Sequence, residues 1–181
     1  VVLKRRFHGE YVFIAYHIPE ATHKDICALY ALQAVLSFGM SSRLYRNLVE
    51  GNIAVWASAH IDVAKDPSLL WLKAQARDGV GVERLEKALL EEVDKVAQDG
   101  VTAKELQRAL NQVEASFVYS QEGVSMIAMQ LGFFEVLANY KYADELLEQI
   151  KSVSLQDVQT VAQRYMHEDN RTVGQFMPIR E

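Results

Sequence analysis

The order in which the hydrophobic period changes constrains this chain most. Tyr11 to Ile18 (YVFIAYHI) is a short aromatic and β-branched run, which reads as a strand. It is apolar almost throughout, so both of its faces are expected to be covered, and Pro19 ends it because Pro cannot donate to a ladder. Ile26, Leu29, Leu32, Val35 and Leu36 then recur at helical spacing, with Thr22 and Asp25 as a short capping box and Gly39 as the stop. A second helical turn over 44–50 leads into two strands, 53–61 and 69–77. In the latter Leu70, Leu72, Ala74 and Ala76 alternate with Trp71, Lys73, Gln75 and Arg77. Lys65-Asp66-Pro67-Ser68 joins them as a turn, which makes an antiparallel hairpin.

Helices follow without interruption. Val82, Leu85, Leu89, Val93 and Val96 mark the first, with Glu83–Lys87 and Glu91–Lys95 expected as outward i,i+4 pairs. Thr102 with Glu105 is a capping box for a helix running to about Tyr119. Segments 125–139 and 142–150 are two more, and Ser154 with Asp157 caps the last. Asp169-Asn170 turns the chain into a final strand, 171–177. Strand, helix, two strands, helices, strand is not the alternation of a doubly wound fold. The expectation is an α+β domain over 1–181, with helices on one face of a mostly antiparallel sheet.

A chain of 181 residues buries about 70% of its unfolded surface and supports its own core. A net charge of -5 argues against a nucleic-acid partner, and no window has the roughly 18 consecutive apolar residues of a membrane helix. The one cysteine, Cys27, rules out an internal disulfide and reads as a buried, inert thiol. The opening VVLKRRFHGE has no apolar stretch and no initiator Met; it reads as the start of a processed piece of a longer chain, not as a signal peptide.

No catalytic centre emerges from the residues. His17 and His23 flank Pro19 and Glu20, but a zinc helix needs its ligands on adjacent turns, and Pro19 breaks this segment. His60 and His167 read as solvated or locally bonded. Ser41 and Ser42 lack the sequence of a hydrolase elbow and read as helix caps, and Gly79-Val80-Gly81 has no phosphate-loop pattern. Met126, Met129, Phe133 and Phe134 read as core or as a partner interface.

The run YVFIAYHIPEATHKDICALYALQAVLSFGMSSRLYRNLVE resembles the opening of the second-half domain of the insulinase–pitrilysin family of zinc metallopeptidases, to which mitochondrial processing peptidase belongs. VTAKELQRALNQVEASFVYS and VSLQDVQTVAQRYMHEDNRTVGQFMP are similar to later parts of the same domain. Its most specific parts are GMSSRLYRNLVE, which carries the structural motif Gly39, Ser42, Arg43 and Tyr45, and the LQDVQTVAQRYMHEDNRTVG tail. The resemblance implies a non-catalytic domain that lines a closed chamber, pairs with other domains and is inactive alone. Zinc would sit in an N-terminal catalytic domain of the same parent chain, on a His-x-x-Glu-His helix that this sequence lacks.

The family's second-half domain often carries an Arg and, seven residues later, a Tyr that steady the developing negative charge. Matching the motif puts Val49 and Trp56 there, as substrate-facing positions without those donors. Two accounts stay open. In one, a sister subunit supplies the Arg and Tyr for a peptide substrate. In the other, the parent is a catalytically dead structural subunit, like the core subunits of the cytochrome bc1 complex. The likeness of LVEGNIAVWASA to bacterial zinc-bearing subunits favours the first. A bacterial periplasmic or cytoplasmic parent fits either account, with any signal peptide upstream.

Overall fold

The protein is described by a computed structural model covering residues 1–5, 8–121 and 123–179. Of the charged opening, Arg6 and Phe7 therefore lie outside the described residues. Five strands form one sheet: β1 (Val2–Arg5), β2 (Tyr11–Ile18), β3 (Ala54–Ile61), β4 (Ser68–Ala76) and β5 (Arg171–Pro178). Their order is β1-β5-β2-β4-β3. Every pairing is antiparallel except β1 with β5, which is parallel. The helices are α1 (Ile26–Ser37), α2 (Val82–Asp99), α3 (Ala103–Ser120), α4 (Val124–Leu137), α5 (Tyr142–Lys151) and α6 (Leu155–Tyr165).

The α+β architecture matches the expectation, including the β3–β4 hairpin. One side of the sheet carries Val12, Ile14 and Tyr16 with Leu70, Leu72 and Ala74, all fully buried in one core with α1, α2 and α6. This face is shut off so completely that the Tyr16 phenol is pushed up to about 12 by burial, although Arg171 draws it back down. Ala31 and Leu32 of α1, Leu85 and Leu89 of α2, and Val158 and Ala162 of α6 close the layer.

Four local expectations need correction. β2 is covered on one face only: Tyr11 and Phe13 are half-buried and His17 is exposed, because no described helix packs over them. The Thr22–Asp25 capping box does not form, because Asp25 is itself the residue preceding α1. Its carboxylate instead accepts from Arg164 and, at 2.8 Å, from the Tyr165 hydroxyl of α6. The pairs on α2 form as Lys87–Glu91 and Lys95–Glu92, since Glu92 is buried and takes the lysine. β1 was not foreseen: four residues beside a run of charges carry no period, and their ladder partner lies more than 170 residues away.

The capping boxes at Thr102–Glu105 and Ser154–Asp157 form as read. Gly39 ends the α1 region with φ +75°, a left-handed conformation that a Cβ would disfavour. Cys27 is buried; burial raises its thiol to about 11, and Sγ donates to Gln149 Oε1 at 3.4 Å.

Candidate functional site

The segment between α1 and β3 is a tightly tethered strap. Gly39 turns the chain, and its carbonyl accepts from the Ser42 hydroxyl at 2.8 Å and from the Ser42 N–H at 3.1 Å. Leu44 and Leu48 then plug the core, 0% and 1% exposed. Between them the helix winds as a π-helical turn over Tyr45–Val49, where sequence period alone points to an ordinary helix. The wider turn shows in its bonds: the Glu50 N–H donates to the Tyr45 carbonyl, five residues back, at 3.0 Å.

Gly51 closes the strap under close steric control. A Cβ there would stand 2.1 Å from the Asn47 carbonyl oxygen, a backbone atom that cannot swing away. Asn52 follows in the left-handed region at φ 57°, a conformation its short polar side chain tolerates. The Ile53 N–H then reaches back to the Leu48 carbonyl at 2.8 Å.

Two carboxylates from the helical layer hold the strap. Arg43 makes a fork to Glu105, Nε to Oε1 at 2.8 Å and Nη2 to Oε2 at 3.2 Å, and its Nη2 also donates to the Gly100 carbonyl at 3.1 Å. Glu105 is the acid of the α3 capping box, so it also accepts from the Thr102 N–H and hydroxyl, each at 2.8 Å. Partial burial pushes its carboxyl pKa up, but Arg43 and Thr102 outweigh this and hold it at about 2. Glu92, 2% exposed, accepts from Asn47 Nδ2 at 2.7 Å and from Lys95 Nζ at 2.5 Å. The sequence marks Glu105 only as the acid of a capping box and Glu92 as ordinary helix-face charge; neither is marked there as a partner of the strap.

The structure separates Val49 from Trp56. Val49 is half-buried and packs against the core. Trp56 stands on the open face of the sheet, 37% exposed, beyond an irregularity in the ladder between Ala54 and Trp56. Its indole N–H is committed to Gln75 Oε1 at 3.0 Å. The Val49 side chain carries no donor, and the one donor of the Trp56 indole is taken up by Gln75.

The open face has its own organisation. Trp56, Gln75, Tyr11 and Phe176 lie in register across β3, β4, β2 and β5. Tyr11 is 6.4 Å from Trp56 and 6.5 Å from Phe13, ring to ring, and Phe13 is 5.0 Å from Phe176. Gly174 lies beneath, where a Cβ would meet the Phe176 ring at 3.4 Å. Below this row, Lys73 Nζ sits 5.0 Å above the Trp71 ring, and Trp71 donates to Asp62 Oδ2 at 2.6 Å. Asp62 also faces His60 Nε2 at 3.5 Å. The row was missed in the sequence because YVFIAYHI reads as one apolar block. Its alternate residues, Tyr11 and Phe13, were the available signal.

Among the described residues, no three His, Cys, Asp or Glu side chains are grouped so as to hold a metal ion, and no helix is long and apolar enough to cross a membrane. His23 is engaged locally, Nδ1 accepting from the Asp25 N–H at 3.1 Å.

The chain is 28% identical over 179 residues to the zinc protease PqqE of Helicobacter pylori, an alignment that takes in 98% of this chain and 40% of that protein. It thus spans about two-fifths of the length of that curated relative. A crystal structure of a protease from Helicobacter pylori superposes with a TM-score of 0.91 at 26% identity, over 98% of this chain and 43% of the other. The fold also recurs at 15% identity and a TM-score of 0.84 in a chain of complex III2 from Candida albicans, covering 97% of this chain and 45% of that one. The profile of the Peptidase M16 inactive domain matches residues 1–113, more than half of the chain, and this chain belongs to the Peptidase M16 inactive domain family.

Proposed function

We propose that this chain is the non-catalytic C-terminal domain of a zinc metalloendopeptidase. The carrying observation is the alignment of 98% of the chain with 40% of a zinc protease, by a sequence without a His-x-x-Glu-His helix. In this reading the zinc is held by an N-terminal domain of the same parent chain. The open face of the sheet, with its row of Trp56, Tyr11, Phe13 and Phe176, lines the chamber and contacts the peptide substrate. That assignment is supported by the aromatic row, exposed at Trp56 and half-buried at Tyr11, Phe13 and Phe176, which suits apolar side chains and lies on the face that this domain's described helices leave open. A sister subunit supplies the Arg and Tyr that are absent at Val49 and Trp56.

A second reading is favoured by those same two positions. With neither residue able to donate, the parent is a structural or assembly subunit without proteolysis. The full-length parent, assayed with its sister subunit on a quenched peptide with and without chelator, separates the two. Cleavage that chelator abolishes is expected, and its absence with both subunits present rejects the first reading in favour of the second. A parent sequence without His-x-x-Glu-His upstream of Val1 would do the same.

A further inference from the structure

α4 contradicts its surroundings. Val124–Leu137 reads VSMIAMQLGFFEVL, with Glu135 as its one charge. A helix that is apolar on all sides belongs inside a protein. This one is buried only at Leu137. Gln130, Phe134 and Leu137 share one face and turn inward, Phe134 meeting Tyr142 of α5 at 6.0 Å.

The remaining circumference divides cleanly at 3.6 residues per turn. One flank carries Val124, Ile127 and Leu131, exposed by 84%, 41% and 43%. The other carries Met129, Phe133 and Val136, exposed by 62%, 46% and 71%. Between them, on the outermost crest, stand Ser125, Ala128 and Gly132, with Glu135 at the edge beside Val124, its carboxylate accepting from the Tyr140 N–H at 2.9 Å. Nothing lies within 4 Å of where a Gly132 Cβ would be. Large apolar ridges on both sides of a crest of small residues form the shape of a helix that sinks into a groove, where small residues let a neighbouring backbone approach.

The total surface points the same way. The chain exposes 10105 Å², against about 8,800 Å² for a compact monomer of this size. The excess is larger than the roughly 800 Å² that each partner gives to a standard interface.

We infer that α4 is the docking helix of this domain, and that its occupant is an apolar groove on the zinc-bearing part of the same parent chain. This rests on the reading proposed above. Chain length favours that occupant, since 98% of this chain accounts for only 40% of the Helicobacter zinc protease. Geometry favours it over a second copy: two-fold pairing of one helix with its own copy covers one sector, whereas both flanks and the crest of α4 need covering together.

Hydrogen exchange on the full-length parent, with its sedimentation measured at two concentrations, tests the assignment. Amides of α4 should exchange on the order of 100-fold slower than those of a bare surface helix, without change on dilution. Gly132→Leu should remove that protection while the amides of α2 and β4 keep theirs, because leucine favours the helix and meets only open space in this domain. Fast exchange of α4 in the wild-type parent overturns the proposal. So does protection that disappears on dilution as a dimer dissociates, which would make the occupant a second copy, and so does protection that Gly132→Leu leaves intact. Chelator-sensitive cleavage is read on the same samples. Its loss with α4 protected counts against the peptidase reading alone; its presence with α4 unprotected counts against the docking helix alone.

Discussion

The strap and α4 carry opposite instructions. Between Gly39 and Ile53 the anchoring groups find their partners within the domain: Leu44 and Leu48 in the core, Arg43 on Glu105, Asn47 on Glu92. In α4 nearly every apolar side chain lacks an apolar neighbour on its outer side. The strap's position is therefore decided by this domain alone, whereas α4 presents an apolar surface that the described residues of this domain leave open. A domain can be complete in its polar network and still incomplete in its apolar one, because hydrogen bonds are satisfied pairwise while burial needs a second body.

Substitutions sharpen that contrast, and the largest effect belongs to the strap. Leu48→Ala should destabilise by about 2–5 kcal/mol in urea unfolding, since a fully buried side chain leaves a cavity. Gly51→Ala should cost about 1–3 kcal/mol in the same experiment, because the new methyl group must displace the Asn47 carbonyl. A Gly51→Ala protein as stable as the wild type would mean that the π-helical turn relaxes freely and the strap is not fixed as described.

Arg43→Ala comes next, at about 1–2 kcal/mol near neutral pH, for the loss of a forked, partly exposed ion pair and the Gly100 carbonyl's donor. Its pH dependence has a definite sign. Glu105 is held at about 2 in the folded protein against an ordinary 4.5. The stability it contributes is thus fully present above about 4.5 and is lost as the pH falls towards 2. The gap between Arg43→Ala and the wild type should narrow across that window; a constant gap would show that Glu105 keeps its low pKa without Arg43. Smallest of all, Met129→Ser on the outer flank of α4 should change the stability of this domain by less than about 0.5 kcal/mol. A loss comparable to Leu48→Ala would show that α4 is packed within the domain, and the contrast would fail.

The sequence was read most easily where signals are local. The strand over Tyr11–Ile18 was legible to the residue, and so were the capping boxes at Thr102 and Ser154, since each depends on residues three positions apart. The box expected at Thr22 failed because Arg164 and Tyr165, some 140 residues away, take the Asp25 carboxylate. The two-sided burial expected of β2 failed because a hydrophobic run gives no sign of how many layers cover it. At the candidate site, Gly39, Ser42 and Arg43 were visible as a motif, but not the carboxylates that fix them, Glu92 and Glu105.

By itself the sequence determined the order of the main elements from Tyr11 onward, the α+β class, the helix caps at Thr102 and Ser154 and the lack of a His-x-x-Glu-His motif in these residues, all of which follow from period, spacing and residue type. Tertiary structure decided the rest. It placed β1 in parallel beside β5, wound Tyr45–Val49 into a π-helical turn, and committed the Trp56 indole to Gln75. It also gathered an aromatic row on the sheet face that no described helix covers and left most of α4 exposed. Each of these depends on contacts between residues far apart in the chain, and a one-dimensional pattern does not encode which distant groups will compete for the same partner.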